Sequence, residues 1–416
     1  MDNEFYDGWL FPEAGSKHED VLIDFLYSDY KLFPLWGSVS SGKTVSSSQA
    51  WAGLIKQTPK QYPFAMIGKT ELTLEANVLD PLTDFLGAKN CYKSGNVAYI
   101  YGHKVRLYGA NDAKSRSKIQ GKSLYAWYGD EVTTWPEDFF MMALSRLRVG
   151  KAKAIMTMNP ESKFHWFHKQ VIERATNPAI KAKLYHFTMA DNPHLPDDYK
   201  AWISSMYVPG TVWYKRWIMG EWAAAEGAIF PFLTDDPKDE FVINKLPDDL
   251  TTWLVAADYG LQHWTVYGLT AWSPSLNRWI LVKEWFTKDK TNTVYSEEFQ
   301  REIVNFNGGV PIQEIDVDPG GGGASLIKQF QADYPNISVS SATKKDVSKE
   351  LQDLASALFT HRIALYAPGC PHGLEQLLNY TWDDKAKARG KDEPLKANDD
   401  FCDMLRYKWQ MCLRYS

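Results

Sequence analysis

The sequence predicts an α/β protein with two folded domains, the first built on a mainly parallel sheet. Its 416 residues, 44% of them hydrophobic, are enough to form more than one core. Between residues 31 and 160, short apolar runs that end in turn or polar residues alternate with longer segments, which is typical of parallel α/β sheets. Residues 228–249 are rich in proline and acidic side chains and precede a second α/β pattern, so a boundary is expected there.

Charge and cysteine content narrow the possible function classes. Lys and Arg number 46 against 51 Asp and Glu, and the net charge of −5 provides no global attraction to nucleic acid or anionic membranes. Any DNA contact would depend on local basic clusters, at residues 114–122, 146–153, 344–345 and 385–396. The four cysteines are too few for a disulfide scaffold, and no leader peptide or long apolar run occurs. We expect a soluble protein of a reducing cytoplasm, without membrane association.

The elements of the first half follow from the apolar runs. Strands are predicted at residues 32–36, 64–67, 124–128 and 154–158, with a hairpin over 97–107. Gly129 interrupts the apolar run before Asp130, so the strand there is expected to end early. Residues 163–225 lack a strand period and are interpreted as helices and a connector.

A second strand series follows the proline-rich segment. Residues 252–257 form a strand that runs into Asp258, and 314–317 form another that ends at Asp318. Antiparallel neighbours are predicted at 265–272 and 279–284, and helices at 348–360 and 399–413.

Residues 37–44 read Gly-Ser-Val-Ser-Ser-Gly-Lys-Thr, a complete GxxxxGK[ST] motif between an apolar strand and a helix expected near Thr44. In such a loop, backbone amides wrap nucleotide phosphates, the lysine bridges the β and γ phosphates, and the hydroxyl holds Mg²⁺. Lys43 and Thr44 take the last two roles. The amides belong to Gly37, Ser38, Ser40, Ser41 and Gly42. The motif predicts an ATP-binding P-loop NTPase domain (ASCE/RecA-like); the alternative is a Gly/Ser turn with a solvated lysine.

Two further strand ends carry polar residues suited to nucleotide hydrolysis. Asp130 and Glu131 follow an apolar strand, where Asp130 would hold the Mg²⁺ and its water shell and Glu131 would activate the attacking water. Thr157 and Asn159 end the next strand, where a polar side chain can sense the γ phosphate. Ordinary loop acids and an Asn-Pro turn are the alternatives.

Hydrolysis also needs positive charge on the γ phosphate, usually from an arginine. Arg116 is the preferred candidate, and Arg146 and Arg148 are the others. Each is equally well explained as a solvated side chain or a contact to the DNA backbone.

Acidic residues in the second half form a separate constellation. Asp258 and Asp318 end apolar strands, and Asp400 and Asp403 lie three residues apart at the start of the last predicted helix. Carboxylates at neighbouring strand ends with another on a helix are the pattern by which an RNase H-like fold holds two Mg²⁺ or Mn²⁺ ions for phosphodiester cleavage. Helix capping is the alternative for Asp400 and for the adjacent Asp399, and strand-end turns are the alternative for Asp258 and Asp318. Asp316 is the reserve for the role of Asp318.

The order of these motifs, from about residue 32 to residue 407, resembles the large terminase subunit of tailed double-stranded DNA bacteriophages. Residues 400–407 resemble the family's final nuclease motif, and residues 191–195 and 220–222 resemble its post-ATPase segment. On this interpretation residues 1–165 are the P-loop ATPase core, 166–249 a helical segment and linker, and 250–416 the RNase H-like nuclease domain.

The resemblance implies an ATP-driven motor that pumps double-stranded DNA into a procapsid and cuts concatemers at initiation and termination. The implied partners are DNA, the portal protein, the small terminase subunit and further copies in a homo-oligomeric ring, a pentamer. The implied location is the host cytoplasm, with transient docking on the portal and absence from the mature virion. By the same resemblance, Glu131, Asp258, Asp318 and Asp403 are catalytic. Many relatives have an arginine where this chain has Val39, which moves the expected arginine to Arg116, acting from a neighbouring subunit.

Two other functions remain open at this stage. One is a P-loop DNA translocase or helicase whose nuclease-like domain is inactive. The other is a nucleotide-gated assembly factor that binds ATP without turnover. Glu131 argues against the second, because a pure switch does not need a catalytic carboxylate.

Overall fold

The computed structural model describes residues 15–111, 117, 119–233, 241–260, 263–344 and 346–415. These residues form two compact units. The first contains the described residues up to Ser205 together with Val212–Ala224; the second contains Met206–Thr211 and the described residues from Ala225 onward. Within these described ranges, no helix combines the length and apolar character needed to cross a bilayer.

The first unit is built on one sheet. Its strands are β1 (Leu32–Gly37), β2 (Phe64–Gly68), β3 (Cys91–Ser94), β4 (Val97–Ile100), β5 (His103–Gly109), β6 (Ala126–Gly129), β7 (Lys153–Met158) and β8 (Tyr185–Phe187). The order among the described strands is β3-β4-β5-β2-β6-β7-β1-β8. The six strands from β5 to β8 in this order are mutually parallel, whereas β3 and β4 add an antiparallel extension. The predicted mainly parallel sheet is confirmed.

Helices cover both faces of this sheet and bury its nearly continuous apolar strands. The helices of this unit are α1 (Lys17–Tyr27), α2 (Lys43–Gln57), α3 (Glu71–Leu74), α4 (Asp80–Leu86), α5 (Glu137–Leu144) and α6 (Asp197–Ser205), of which α6 has no buried residue. One core contains Trp51 of α2 and the other contains Phe140 of α5, both fully buried. Strand β7 lies between β1 and β6. An extra strand between the P-loop strand and the strand that ends in the acid is the arrangement of ASCE-type domains.

Two sequence-based expectations for this unit are wrong in detail. The segment interpreted as helices and a connector contains β8, whose residue Tyr185 pairs with Leu35 of β1. This strand has only three residues, too few for a period-2 pattern to be recognised. Gly129 does not end β6 early but is its last residue. A Cβ there would lie 2.8 Å from Val132 and 2.9 Å from Trp135, so close packing explains the glycine.

The second unit has its own sheet. Its strands are β9 (Val242–Ile243), β10 (Thr251–Asp258), β11 (Thr265–Ser273), β12 (Arg278–Thr287), β13 (Ile312–Val317), β14 (Ser338–Ser341) and β15 (Ile363–Tyr366). The order among the described strands is β14-β13-β10-β11-β12-β15-β9. Strand β11 is antiparallel to both of its neighbours, β10 and β12, while β13 joins β10, and β14 joins β13, in parallel. This is the strand order of an RNase H-like fold, as predicted.

The helices of the second unit place acidic residues beside the central strands. They are α7 (Asn292–Phe299), α8 (Gly323–Asp333), α9 (Val347–Phe359), α10 (Pro371–Leu378), α11 (Asp384–Ala388) and α12 (Asp400–Cys412). Helix α12 packs on β10 and β11, and nearly all of it is buried. Its first turn contains the predicted acids Asp400 and Asp403.

Helix α12 also contains a fully buried lysine that neither predicted site uses. Lys408 has no exposed surface, and its Nζ lies 3.9 Å from the sulfur of Met411. Burial lowers the pKa of Lys408 to about 7, against an opposing effect of Cys412, Asp316 and Glu314. In the unfolded chain the amine regains its ordinary pKa of about 10.4. Between these two values the unfolded state binds a proton that the folded state has released, so the wild-type protein gains stability as pH rises.

We expect Lys408→Met to stabilise the protein at pH 6 by on the order of 2–4 kcal/mol, because a buried charge is removed from an apolar site. The gain should shrink between pH 7 and 10. Urea unfolding at pH 6, 8 and 10 measures it, with exposed Lys349→Met on α9 as the matched control. A pH-independent difference would contradict the argument.

Candidate nucleotide site and acidic site

The phosphate loop of the first unit connects β1 directly to α2. Gly42 has φ of +85° and Ser40 φ of +54°, left-handed conformations that turn the chain tightly ahead of the helix. Gly37 lies so close to β8 that a Cβ would meet the carbonyl oxygen of Phe187 at 1.7 Å. The loop borders a cavity of about 270 Å³ lined by Ser40, Ser41, Gly42, Lys43, Thr44, Val45 and Asn192. Of the predicted loop residues, those from Ser40 to Thr44 therefore line one pocket at the N-terminus of a helix, whereas Gly37 and Ser38 do not line it.

Lys43 is buried against its own loop. Its Nζ donates to the carbonyl oxygen of Ser38 at 2.6 Å and to that of Gly37 at 3.2 Å, and it lies 3.2 Å from Ser41 Oγ. Burial lowers the pKa of Lys43 to about 8, while the charge of Asp130 raises it. The lysine and the acid of the neighbouring motif are thus electrostatically coupled.

Asp130 follows β6 and is tied to β7. Its Oδ1 accepts a hydrogen bond of 2.9 Å from Thr157 Oγ1. Burial raises the pKa of Asp130 to about 6; the hydrogen bond from Thr157 lowers it and the charge of Glu131 raises it. Because β7 lies between β1 and β6, Thr157 bridges the strand that leads to the loop and the strand that ends in the acid.

Glu131 and Asn159 lie at the same edge of the sheet but make different contacts. Glu131 has φ of +49°, an uncommon conformation for a residue with a side chain and one that costs on the order of 1 kcal/mol. Its side chain is partly exposed. Asn159 is partly exposed as well, and its carbonyl oxygen accepts from Thr133 at 3.3 Å. Both side chains are therefore accessible from solvent beside Asp130.

The structure does not bring Arg146 or Arg148 to this edge. The amide of Leu124 donates to the carbonyl oxygen of Arg146, and the amide of Arg148 donates to the carbonyl oxygen of Leu124. Both arginines therefore lie where β6 begins. Asp130 lies where β6 ends, at the opposite edge of the sheet. These two alternatives are therefore wrong as arginines for the site of their own chain. Arg116 lies outside the described residues.

Residues distant in sequence contact the phosphate loop through hydrogen bonds. Asn192 donates from Nδ2 to the carbonyl oxygen of Ser40 at 2.8 Å, and Tyr199 Oη lies 3.0 Å from Ser40 Oγ. The amide of Val39 donates to the carbonyl oxygen of Trp217 at 2.9 Å. These contacts were missed from the sequence, although Asn192 lies in a segment assigned by resemblance.

Gly220 packs against the loop more tightly than any side chain could. Its φ is +71°, and a Cβ there would lie 2.6 Å from the amide nitrogen of Ser38 and 2.7 Å from Gly37 Cα. Both contacts are to backbone, so the phosphate loop itself would have to move. Gly220, the first residue of the Gly-Glu-Trp sequence, therefore supports the phosphate loop.

We expect Gly220→Ala to raise the KM for ATP about tenfold or more, because the loop amides would be displaced from the phosphates. Steady-state phosphate release measures it. Gly227→Ala is the matched control: Gly227 has the same φ of +71° but nothing within 4 Å of its Cβ position. Equal effects of the two substitutions would show that backbone strain, not contact with the loop, is responsible.

The second unit brings the predicted acids together. Asp258 ends β10, and Asp318 directly follows β13, the parallel neighbour; the amide of Asp318 donates to the carbonyl oxygen of Ala257 at 2.9 Å. Burial raises the pKa of Asp258 to about 8, and the charges of Asp403, Asp318 and Asp400 raise it further in that order of size. Four carboxylates from two strand ends and one helix thus face one region.

Asp316 makes contacts outside this region. It is buried, and it accepts from Ser340 Oγ at 2.6 Å and from the guanidinium of Arg414 at 2.7 Å. Asp318 instead accepts from Lys344 Nζ at 2.7 Å and from the amide of Gly320 at 2.8 Å. Asp316, the alternative to Asp318, is thus already paired with Ser340 of β14 and with Arg414.

The last helix begins without a side-chain cap, so capping does not explain its acids. Asp399 precedes α12 and makes no capping hydrogen bond. Lys396 Nζ lies 2.8 Å from Asp399 Oδ2 and 2.7 Å from Asp403 Oδ2. Asp403 also accepts from buried Arg406 at 3.1 Å, which in turn is paired with buried Glu350 on α9. This buried network fixes the side of α12 on which Asp403 lies.

Within the described residues, no three His, Cys, Asp or Glu side chains are placed closely enough to form a metal cluster. The acids are instead neutralised by Lys344 and Lys396. The basic segment at 385–396 begins in α11 and continues from residue 389 as a mostly exposed loop, with an antiparallel bridge between Trp382 and Pro394.

Fold and site together define the class. A P-loop domain of ASCE topology is followed in the same chain by an RNase H-like domain with an acidic cluster at its central strand ends.

Comparison with known proteins finds similarity to bacteriophage large terminases. Residues 36–234 match the family described as terminase large subunit, T4likevirus-type, N-terminal. The large terminase of a thermophilic bacteriophage has 29% sequence identity over 96% of this chain and 99% of that chain, with a TM-score of 0.74. The complex of that phage terminase with ADP has a TM-score of 0.71 at 29% identity, covering 96% and 99%. Its complex with ATP-γ-S has a TM-score of 0.70 at 29% identity, covering 95% and 98%.

No match was found among curated proteins. The chain is therefore similar over nearly its whole length to a bacteriophage large terminase, and its first half matches a terminase large-subunit model.

Proposed function

We propose that this chain is a large terminase, a DNA-packaging motor that hydrolyses ATP in its first unit and cleaves DNA in its second. The observation that carries the proposal is the presence of two separate sites for phosphate chemistry on consecutive units. Lys43 and Asp130 are coupled at the phosphate loop, and Asp258 lies among three further carboxylates. A translocase without nuclease activity does not need the second site.

The ATPase proposal assigns a role to each residue around the loop cavity. The amides of residues 37–42 and the N-terminus of α2 receive the phosphates, and Lys43 exchanges its loop carbonyl partners for phosphate oxygens. Thr44 and Asp130 would hold the Mg²⁺ that accompanies ATP. This ion would neutralise the negative charge that develops on the phosphates. Glu131 orients and deprotonates the attacking water. The large terminase of the thermophilic phage, similar over nearly its whole length, has been solved with ADP and with ATP-γ-S.

Asp130, Thr157 and Asn159 couple the nucleotide state to the rest of the sheet. Thr157 donates to Asp130, so any movement of this acid when ATP is hydrolysed reaches β7 directly. Asn159 ends the same strand with a partly exposed side chain. Arg116 is proposed to supply the stimulating charge from a neighbouring subunit of the ring.

The nuclease proposal requires that the acidic site fit two Mg²⁺ or Mn²⁺ ions. Asp258, Asp318, Asp400 and Asp403 offer only hard oxygen donors, which these ions prefer. Their mutual repulsion adds to burial in raising the pKa of Asp258 to about 8, although Lys396 lowers it, so a divalent cation bound beside Asp258 would relieve this repulsion. When bound, the two ions would stabilise the attacking and leaving oxygens of the phosphodiester. The four aspartates would hold them, and buried Arg406 keeps Asp403 in position.

The proposed setting follows from the family. The subunit assembles as a ring, a pentamer, on the portal of the procapsid, receives double-stranded DNA from the small terminase subunit, and leaves before the virion is complete. It acts in the host cytoplasm.

The test is a packaging reaction with purified procapsids, the small subunit and linear DNA, read as DNA protected from DNase. Protection that requires ATP, together with DNA-stimulated ATPase and plasmid cleavage in Mn²⁺ by the same preparation, is the expected result. DNA-stimulated ATPase without cleavage or protection would favour a translocase with an inactive second domain. Tight ATP binding without turnover would favour a nucleotide-gated assembly factor.

A further inference from the structure

Two lysines occupy the acidic site of the second unit. Lys396 Nζ lies 2.7 Å from Asp403 Oδ2 and 2.8 Å from Asp399 Oδ2. Lys344 Nζ lies 2.7 Å from one carboxylate oxygen of Asp318 and 2.9 Å from the other. Two of the proposed metal ligands therefore already have a cation within hydrogen-bonding distance.

The bound lysines and metal ions would compete for the same oxygens. A metal ion bound to Asp318 needs the oxygens that Lys344 contacts, and one bound to Asp403 would lie beside Lys396. Cations this close repel each other strongly in a partly buried site.

These lysines differ from the other cation of the site. Arg406 is nearly fully buried and fixed between Asp403 and Glu350, so it serves as structure. The side chains of Lys344 and Lys396 are 47% and 64% exposed and end flexible stems. Their carboxylate partners Asp318 and Asp403 are only 11% and 13% exposed, so each ammonium group reaches a partly buried acid from solvent and can turn to another anion without leaving solvent.

A DNA backbone brings such anions to the site where it would be cut. We propose that Lys344 and Lys396 are internal counter-ions that keep the acidic site free of metal until phosphates of bound DNA draw the two ammonium groups away. This inference rests on the proposed nuclease function. It makes DNA binding and metal binding mutually favourable, and by thermodynamic linkage each must strengthen the other by the same factor. A terminase would then not load its nuclease site until DNA lies across it.

The test measures Mn²⁺ binding to the full chain by electron paramagnetic resonance, without ATP. A short duplex with phosphorothioate linkages, which slow cleavage, is present or absent. For the wild-type protein we expect the duplex to tighten Mn²⁺ binding about tenfold. For the double variant Lys344→Met, Lys396→Met we expect binding about tenfold tighter without DNA and little further change when the duplex is added.

The control removes a lysine from the same surface without touching the acidic site. Lys391 pairs with Glu393 at 3.5 Å, so Lys391→Met changes the net charge alone. Equal Mn²⁺ affinity in the double variant and this control, or an undiminished effect of the duplex in the double variant, would overturn the inference. If neither the wild-type protein nor any variant binds Mn²⁺, the nuclease proposal itself fails. Unchanged melting temperatures verify that the exposed lysines were not needed for folding.

Discussion

Lys43→Ala is expected to lower DNA-stimulated ATP turnover at least about 100-fold. Its ammonium group is the only cation that the cavity's walls contribute among the described residues, and it is held at the base of the phosphate loop by three short contacts. Without it, negative charge that accumulates on the β and γ phosphates has no neighbour of opposite sign in the loop. Phosphate release with saturating duplex DNA, measured over a range of ATP concentrations, separates lost turnover from lost affinity.

Lys56→Ala is the matched control, because Lys56 lies on the same helix but is exposed in its last turn. It should retain wild-type turnover. Plasmid cleavage by Lys43→Ala should also persist, because the acidic site is in a different unit. ATP turnover that survives in Lys43→Ala would refute the motor half of the proposed function.

The sequence predicted the parts of the site that depend on local rules. A contiguous motif defined the phosphate loop, because its backbone conformation is set by residues 37–44 themselves. Asp258 and Asp318 were expected together because they end strands, and the parallel pairing of β10 with β13 brings them side by side. Asp403 required only that its helix cross the same sheet. Each of these predictions depended only on one helix, strand or loop and on the element directly beside it.

The missing parts depend on contacts that no local pattern encodes. Gly220 supports the loop through its backbone position, and its sequence context does not state which loop it meets. Lys344 and Lys396 lie in basic clusters that the sequence nominated for DNA contact, but their pairing with Asp318 and Asp403 was missed, since a basic residue paired with a distant acid has no sequence signal. Arg146 and Arg148 show the opposite kind of error. Their charge made them candidates for the ATPase arginine, but they lie beside the start of β6, whereas Asp130 lies at its end, on the opposite edge of the sheet.

Asp258→Asn is expected to lower plasmid cleavage in Mn²⁺ at least about 100-fold while ATP turnover remains at the wild-type rate. Asparagine keeps the shape of the side chain but removes the negative charge needed to hold a divalent ion between the strand ends. The folded protein should not suffer. Burial and the surrounding acids raise the pKa of Asp258 to about 8, so a neutral group is preferred there when no metal is bound.

This expectation distinguishes loss of chemistry from loss of structure. A melting temperature equal to or above that of the wild-type protein in EDTA, together with abolished cleavage, assigns Asp258 to the metal site. Exposed Asp248→Asn, just before β10, should leave both cleavage and melting unchanged. Cleavage that persists in Asp258→Asn would mean that the remaining aspartates suffice or that the nuclease centre lies elsewhere. Either result would remove Asp258, the carboxylate at the end of β10, from the cleavage mechanism. The position of this acid at the end of a central strand would then no longer explain why DNA cleavage needs an RNase H-like sheet.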